Sequence, residues 1–452
     1  MTQKIWISYH KDEQIEQYGL KEDATHILFP THKEAEKRNI NNLNPAYSEM
    51  VTMWYVWKNN LRSDYVGFEH YRRHFSAVRT PQKGECQVYK VMDFLFESVY
   101  DQYARCHRKE DMDVMLSCVD RRYGEGNPYT RNIRECHSLI SNCCFIMQWG
   151  DFTKMCSFLF PLLDDFASEF GISNTNVEEW RKKALRDFGD SSKIAYQTRI
   201  LSFLAERLIS AWIMTNLVPL EEGKTVAVVH YNTPELLEKT ILSLRKNAPG
   251  CRVLVFDNSD REPFKKKMTG VGVIDNTRGQ KIDFKKWLEG FPDKEETTND
   301  YGSAKHCYSI QWLIDHVEEP FLLMDSDILI QKNIGFFFDN RYLFAGAIGS
   351  DTFYQGFPLK RVLPILCYLN VPMIRENGIR YFNPEYMWNL ISTGPNDHYD
   401  TGAWFYKEAM EKGMRWQNVE ITNYMKHLWH GSWVDDKERI EKWLEENKAL
   451  WE

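Results

Sequence analysis

The chain has 452 residues, of which 43% are hydrophobic and 27% charged, and its formal net charge is −7. This length favours two domains, and the composition is typical of a globular protein rather than a disordered or fibrous one. The acidic balance argues against a nucleic-acid-binding surface, which is usually basic.

Cysteine usage and hydropathy indicate where the protein works. The ten cysteines contain no Cys-x-x-Cys spacing, which favours reduced thiols over a metal or disulfide framework. The N-terminus lacks the apolar stretch of a secretory signal, and no run of about 18 uncharged apolar residues occurs. We therefore expect a cytoplasmic protein, and contact with the inner face of a membrane stays open.

The first polar cluster lies near residue 70. A helix through Trp54 and Trp57 is followed by a predicted strand that begins at Asp64. The polar residues after it are Glu69, His70, Tyr71, Arg72 and Arg73. Arginine grips phosphate oxygens in a two-pronged geometry, so this cluster could bind a diphosphate without a metal. A surface network of ion pairs is the alternative.

A domain boundary is predicted at residues 217–224, where Pro219 and Gly223 interrupt the pattern after a long helical segment. A new strand follows from Thr225. We expect one domain at residues 1–218 and a second at residues 224–452.

The second half alternates between strand and helix patterns. Strands are predicted at 226–230, 252–256 and 321–324, and helices at 235–247 and 303–316. This alternation predicts a mostly parallel sheet flanked by helices. Ligands bind such sheets at the carboxyl ends of the strands, where polar residues of this chain cluster.

The strand at 321–324 leads directly into Asp325 and Asp327. Side chains two residues apart on a strand point the same way, so both carboxylates could bind one divalent cation. A second Asp-x-Asp triplet, Asp111 to Asp113, lies in a charged run, and we interpret it as part of a solvated helix or turn.

Two later segments add candidate residues. Asp397 and Asp400 lie in a loop rich in acidic residues, His and Gly, and either could deprotonate an acceptor hydroxyl, with Asp400 preferred. A turn or helix cap is the alternative for both. His427 and His430 lie in a short segment with two Trp and are candidate metal ligands.

The second half resembles the family-2-type glycosyltransferases of the nucleotide-diphospho-sugar transferase (GT-A) fold. The motifs that carry the resemblance are Val-Val-His-Tyr-Asn-Thr-Pro, Val-Leu-Val-Phe-Asp-Asn-Ser and Leu-Met-Asp-Ser-Asp, between residues 225 and about 330. The resemblance implies Mg²⁺ or Mn²⁺ on Asp325 and Asp327. It also implies a nucleotide-sugar site formed by Tyr231, Asn232, Asp257 and Ser326. Lys305 or His306 would contact the diphosphate, because the Arg- or Asn-containing helix start common in that family is replaced here by Gly302-Ser-Ala-Lys-His.

The first half resembles a bacterial domain family of unknown function that occurs in capsule and exopolysaccharide enzymes and is regarded as glycosyltransferase-like. The segment His-Tyr-Arg-Arg at 70–73 is the most specific part of a resemblance that covers residues 4–213. It implies a metal-independent donor site. The residues implied for that site are His70, Tyr71, Arg72, Arg73, Asn142, Arg199 and Glu206.

We therefore predict an α/β chain with two GT-A-like domains. We expect a bacterial glycosyltransferase with two active sites that uses nucleotide-sugars, UDP-sugars above all, and a glycan or lipid-linked saccharide acceptor. Two alternatives stay open. The chain could be a nucleotidyltransferase with the same sheet, or its first domain could be a non-catalytic module for glycan binding or assembly.

Overall fold

The structure is a computed structural model that describes residues 1–169, 199–293, 301–387, 398–429 and 436–452. The chain divides into two compact units, Met1–Glu222 and Gly223–Glu452. Both are mixed α/β. The predicted positions Asp397 and His430 lie outside the described residues.

The N-terminal unit is built on a mixed sheet. Its strands are β1 Gln3–Tyr9, β2 His26–Pro30, β3 Tyr65–His70, β4 Glu85–Val88, β5 Val91–Asp93, β6 Ser138–Ile140, β7 Phe145–Gln148 and the start of β8 Val218–His230. The main sheet has the order β2-β1-β3-β7-β4, followed by residues 218–221 of β8. Strands β1, β2 and β3 are mutually parallel, whereas β7 is antiparallel to both β3 and β4. Strands β5 and β6 form a separate antiparallel pair.

Helices pack on this sheet around one large apolar core. They are α1 Glu13–Gln17, α2 Asn44–Tyr47, α3 Met50–Lys58, α4 Val99–Cys106, α5 Lys109–Tyr123, α6 Pro128–Glu135, α7 Trp149–Glu169 and α8 Ile200–Asn216, with a 3₁₀ turn at Asn41–Leu43. Helix α8 is apolar on almost all sides, which explains why it is buried between other elements. In α5, Asp111 is buried rather than solvated as the sequence suggested.

The C-terminal unit contains a second set of paired strands. Its strands are the end of β8, β9 Gly250–Asp257, β10 Val271–Asp275, β11 Phe321–Asp325, β12 Ile328–Ile330, β13 Phe344–Tyr354, β14 Phe357–Leu369, β15 Trp416–Asn418 and β16 Met425–His427. Strands β10, β9, β8 and β11 follow one another across the sheet, and β9/β10 and β8/β11 are parallel pairs. Strand β14 then pairs antiparallel with both β11 and β13. The α/β fold class predicted from the sequence is confirmed, and the sheet combines its parallel pairs with the antiparallel pairs of β14.

Helices flank these strands. They are α9 Pro234–Asn247, α10 Phe284–Leu288, α11 Tyr301–His316, α12 Val371–Glu376, α13 Ala403–Glu411 and α14 Lys437–Glu446, with 3₁₀ turns at Gly335–Phe337, Ile421–Asn423 and Lys448–Leu450. Helix α9 buries Leu237, Ile241 and Leu244, the spacing of an amphipathic helix, against one face of the sheet. A second cluster of buried apolar residues includes those of α11. Among the helices that the structure describes, none has both the length and the hydropathy needed to cross a bilayer.

The segment predicted as an interdomain boundary is a strand. Residues 218–224 belong to β8, and Pro219 lies opposite Cys86 in the parallel ladder. Pairing with β4 overrides the local signals of Pro219 and Gly223.

Candidate active site

The two aspartates stand where β11 ends. Strand β11 is apolar and buried up to Met324, and Asp325 is its last residue. Helix α9 holds the following turn, because the Thr240 hydroxyl lies 2.9 Å from the Ser326 carbonyl and 2.7 Å from that of Ile328. This buried anchor fixes the direction in which the carboxylates leave the sheet.

A short strand pair brings a histidine to the same place. Strands β12 and β16 are antiparallel, with Ile328 opposite His427, and the Leu428 amide donates to the Asp327 carbonyl over 3.0 Å. As a result, His427 Nε2 lies 3.2 Å from Asp327 Oδ1, although 100 residues separate the two in sequence. One ligand atom each from Asp325, Asp327 and His427 lie within 4.8 Å of one another.

The electrostatics of this cluster suit a cation. Burial, followed by the charge of the Asp327 carboxylate, raises the pKa of Asp325. A divalent ion would relieve the repulsion between the partly buried carboxylate of Asp325 and the buried carboxylate of Asp327. Two oxygen ligands and one imidazole are a donor set that Mg²⁺ or Mn²⁺ accepts. His427 Nδ1 is buried and has no partner among the described residues.

The cluster opens into a cavity of about 830 Å³ within the C-terminal unit. That volume accommodates a ligand of nucleotide-sugar size. The described lining includes the predicted residues Tyr231, Asn232, Lys305, His306, Asp325, Ser326, Asp327, Asp400 and His427.

One wall of the cavity combines aromatic and cationic groups. Lys305 Nζ lies 4.8 Å from the ring centroid of Tyr231 and 4.9 Å from that of Tyr301. The Tyr231 hydroxyl donates to Asp260 over 2.8 Å, and the side-chain amide of Asn232 donates to the same carboxylate over 2.6 Å. An aromatic face beside an ammonium group suits a base and a phosphate of one ligand.

His306 approaches the carboxylates without joining the cluster. Its Nε2 lies 3.9 Å from Asp325 Oδ1, beyond hydrogen-bonding distance. Burial lowers the pKa of His306 to about 4, so the ring is neutral at physiological pH. A neutral imidazole can donate a hydrogen bond to a ligand oxygen but adds no charge.

Asp257, at the end of β9, binds the loop that follows it. Its carboxylate is buried and accepts hydrogen bonds from the backbone amides of Ser259 (3.0 Å) and Phe264 (2.8 Å), and His230 Nδ1 lies 3.1 Å away. Burial opposes ionisation, but these hydrogen bonds outweigh it and lower the pKa of Asp257. Asp257 is not among the described residues that line the cavity, and its hydrogen bonds order the loop that follows β9. Its contact with a nucleoside stays a prediction.

Asp400 faces the cavity as part of an ion-pair chain. It precedes helix α13, and Arg361 of β14 donates through Nη1 to Asp400 Oδ2 over 2.7 Å. The same guanidinium holds Asp351 through Nη2 at 2.7 Å. Burial opposes ionisation, but His398 and the charge of Arg361 outweigh it, so the pKa of Asp400 is lowered. A carboxylate bound this firmly is a weak base, which counts against the predicted role of Asp400 in proton removal.

The polar cluster of the N-terminal unit also stands at strand ends. Strands β1 and β3 are parallel, with Ser8 opposite His70, and the chain turns tightly between His70 and Arg73. The His10 ring centroid lies 5.4 Å from that of His70. Burial, then neighbouring positive groups that include Arg72 and Arg199, lowers the pKa of both histidines.

The predicted residues of the His-Tyr-Arg-Arg segment differ in exposure. Tyr71 is buried against the rings of His10, Tyr18 and His70, whereas Arg72 is exposed with its guanidinium carbon 5.0 Å from the Tyr71 ring centroid. Tyr71 therefore packs the base of the cluster, and Arg72 is free to reach a ligand.

Arg199 and Asn142 reach the region from distant segments. Arg199 Nε donates to the Ser48 hydroxyl over 2.7 Å, and Arg199 Nη2 lies 3.5 Å from Glu49 Oε2. The Asn142 amide donates to Glu206 over 2.5 Å, and Glu206 also holds Arg207 at 2.6 Å. Glu206 thus orders a turn and a helix rather than binding a ligand directly.

Sequence reasoning missed Arg361, Asp351, His10 and Glu49. Arg361 and Asp351 meet because β13 and β14 pair antiparallel, a register that no local motif announces. His10 follows the first strand directly, which is the signal that marked the other strand-end residues. Glu49 lies directly before helix α3 in the segment 44–50. An acidic residue at the start of a predicted helix is the signal that could have identified it.

The comparisons with known proteins complete the description. Residues 4–95 and 82–185 match a family model described as Domain of unknown function (DUF4422), which spans less than half of the chain. Among curated proteins, none matches.

The solved structures that are similar to this chain include three glycosyltransferases. The bifunctional glycosyltransferase WbbM in its apo form shares 15% identity over 93% of this chain and 87% of its own, with a TM-score of 0.37. The glycosyltransferase GlyE of Streptococcus pneumoniae TIGR4 shares 12% identity over 50% and 64%, with a TM-score of 0.27. The galactosyltransferase LgtC, in complex with donor and acceptor sugar analogues, shares 12% identity over 34% and 59%, with a TM-score of 0.25. At these scores no activity is assigned from the likeness.

Proposed function

We propose that the chain is a glycosyltransferase with two active sites that transfers sugars from nucleotide-diphosphate donors to a growing capsular, exo- or O-antigen polysaccharide. The observation that carries this proposal is the convergence of Asp325, Asp327 and His427 at the end of β11, on the wall of a cavity of about 830 Å³. The DUF4422 match of the N-terminal region is consistent with it.

The chemistry of the C-terminal site follows from its charges. Mg²⁺ or Mn²⁺ held by Asp325, Asp327 and His427 would neutralise the diphosphate leaving group. Tyr231 and Asn232 would bind the nucleoside, with Lys305, His306 and Ser326 beside the phosphates. Arg361 keeps Asp400 ionised and oriented on the cavity wall. We therefore propose that Asp400 accepts a hydrogen bond from the hydroxyl of the acceptor and does not remove the proton of that hydroxyl.

The N-terminal site would work without a metal. Arg72, Arg73 and Arg199 supply fixed positive charge around the neutral rings of His10 and His70. Such a setting stabilises a departing diphosphate by charge-assisted hydrogen bonds. UDP-sugars are the proposed donors, and a glycan or lipid-linked saccharide is the proposed acceptor.

The test is a transfer assay on the full chain with a panel of UDP-, GDP- and dTDP-sugars, with and without EDTA. We expect two separable activities. EDTA and the double variant Asp325→Asn/Asp327→Asn should each lower the same activity, the metal-dependent one, by about 100-fold or more. The reason is that no bound cation then neutralises the leaving group. Arg72→Ala should weaken the other and leave the metal-dependent one unchanged.

Matched controls are Asp315→Asn, a partly exposed helical aspartate, and Arg62→Ala, an exposed arginine. Neither should change transfer. If both activities survive EDTA and the double aspartate variant, the metal-dependent site is rejected. If Arg72→Ala leaves every activity intact, the N-terminal unit is better explained as a binding or assembly module. Formation of a nucleoside triphosphate and a sugar 1-phosphate when pyrophosphate is added, in place of a nucleoside diphosphate, would favour the nucleotidyltransferase alternative.

A further inference from the structure

The N-terminal cluster contains a further carboxylate, which is not proposed to bind the diphosphate. Glu49 directly precedes helix α3, and its side chain is 17% exposed. Its Oε1 lies 3.4 Å from His70 Nε2, and its Oε2 lies 3.5 Å from Arg199 Nη2. Both separations exceed the usual N–H···O hydrogen-bond range of about 2.7–3.2 Å, so lone pairs of Glu49 remain available to a ligand.

Two other carboxylates near this cluster already accept close hydrogen bonds from neighbouring groups. Glu69 accepts from the Phe75 amide over 2.9 Å and lies 2.7 Å from His74 Nδ1. Glu206 accepts from the Asn142 amide and from Arg207, as described above. Of these three acids, Glu49 is the one whose contacts are loose enough to exchange for a substrate hydroxyl.

The neighbouring imidazole supplies an independent sign of a missing ligand. His70 is 97% buried, and its Nδ1 has no hydrogen-bond partner among the described residues. In either tautomer of the ring, Nδ1 of His70 is a buried polar atom without a partner in the described part of the chain. Such an atom is costly to bury, and a hydroxyl-bearing ligand would satisfy it, because a hydroxyl can donate or accept a hydrogen bond.

Backbone strain marks the same place. Ser48 is buried at φ +47° and ψ −127°, a conformation rare for any residue with a side chain. Asn142 and Cys143 also have positive φ, at +70° and +53°. Strained residues of this kind persist where the surroundings fix a functional geometry. Here Ser48 sets the direction of Glu49 and anchors Arg199 through its hydroxyl.

We infer that Glu49 is the general base of the N-terminal site, an inference that rests on the proposed function of that unit. The acceptor hydroxyl gives its proton to the Glu49 carboxylate. Its oxygen then uses the freed electron pair to form a bond to the anomeric carbon of the donor sugar. The bond from that carbon to the diphosphate breaks, and the diphosphate leaves with the electron pair, stabilised by Arg72 and Arg199.

The experiment uses the full chain carrying Asp325→Asn/Asp327→Asn, so that any remaining transfer comes from the N-terminal unit. Glu49→Gln is added, with Glu110→Gln, an exposed glutamate of the same unit, as the matched control. Transfer from the UDP-hexose that the unit uses and binding of that UDP-hexose are measured separately. We expect kcat to fall by about 100-fold or more with the dissociation constant changed by less than about threefold.

A second variant separates chemistry from positioning. Glu49→Ala should regain part of its transfer in high formate, because a small carboxylate can occupy the space and accept the proton. Formate should not affect Glu110→Gln. If Glu49 only orients Arg199 and His70, Glu49→Gln will weaken donor binding while kcat stays within about tenfold and formate does nothing, and that result overturns the inference.

Failure of the underlying proposal has a different signature. If the chain with the double aspartate substitution neither binds nor turns over any UDP-hexose before Glu49 is changed, the N-terminal unit has no donor site and both proposals fall. If that chain is active and Glu49→Gln is equally active, only the role of Glu49 is rejected.

Discussion

At the scale of single residues, position at a strand end does not decide what a carboxylate does. Asp257 and Asp325 both end buried strands of the same sheet. Asp257 turns back to bind its own loop, whereas Asp325 faces a cavity together with a second acid and a histidine. The difference arises from which backbone amides lie within reach after each strand.

The role of Asp257 predicts a stability effect. Asp257→Asn should destabilise the C-terminal unit by about 2 kcal/mol at pH 7, because charge-assisted hydrogen bonds to two backbone amides weaken. The folded-state pKa of Asp257 is below its ordinary value of about 4, so the stabilisation is present above pH 4 and is lost as the pH falls through the folded pKa. Thermal unfolding from pH 7 to pH 3 should show the gap between wild type and variant narrowing below pH 4.

Asp293→Asn, a substitution of an exposed aspartate in the same unit, is the control and should leave the melting temperature nearly unchanged. A gap between wild type and Asp257→Asn that stays constant down to pH 3 would show that the Asp257 charge does not stabilise the loop.

Residue types alone made part of the candidate site predictable. Asp325, Asp327 and His427 carried a signal because acidic pairs and histidines beside apolar strands are ordinary metal ligands. Arg361 carried none, since its two carboxylate partners are set by strand register and by the loop before α13. Glu49 was visible only as the acid beside a helix start.

At the scale of elements, antiparallel strands account for most of the difference between prediction and structure. Repeated strand-helix alternation favoured a parallel sheet and correctly anticipated β8, α9, β9, α11 and β11. Strands β7, β13 and β14 were not assigned, because their pairing depends on distant partners rather than on local pattern. Strand β8 was shortened in the prediction because Pro and Gly resemble a loop.

The approach of α13 to β14 depends on one glycine. Gly402 precedes α13 with φ +84°, and a Cβ at this position would lie 2.0 Å from the Val362 carbonyl oxygen. Gly402→Ala should therefore cost about 3 kcal/mol or more, from backbone strain together with the clash. Because Asp400 lies just before this turn, the variant should also lose metal-dependent transfer. Calorimetry and the transfer assay measure the two effects.

Gly413→Ala provides the matched control. Gly413 also has positive φ, at +64°, but a Cβ there would meet nothing within 4 Å. We expect it to cost only the backbone term, about 1–2 kcal/mol, and to leave transfer unchanged. Equal losses in the two variants would show that close packing against β14 is unimportant.

At the scale of the whole molecule, the proposed function gives the two units different solutions to one chemical problem. In the C-terminal unit, the acids would bind a cation that neutralises a diphosphate. In the N-terminal unit, the arginines would neutralise it directly. The sequence predicted this division from the residue types at the strand ends, and the described geometry is compatible with it in both units. The identity of the donor sugars depends on cavity shape at a level that no motif encodes.

The most direct test of the central claim is a titration of the full chain with Mn²⁺ in the presence of UDP, with free Mn²⁺ followed by electron paramagnetic resonance. The account predicts one tightly bound Mn²⁺ per chain, lost in Asp327→Asn and retained in Arg72→Ala. Tight binding that persists in Asp327→Asn, or no tight binding in the wild-type chain, would contradict it.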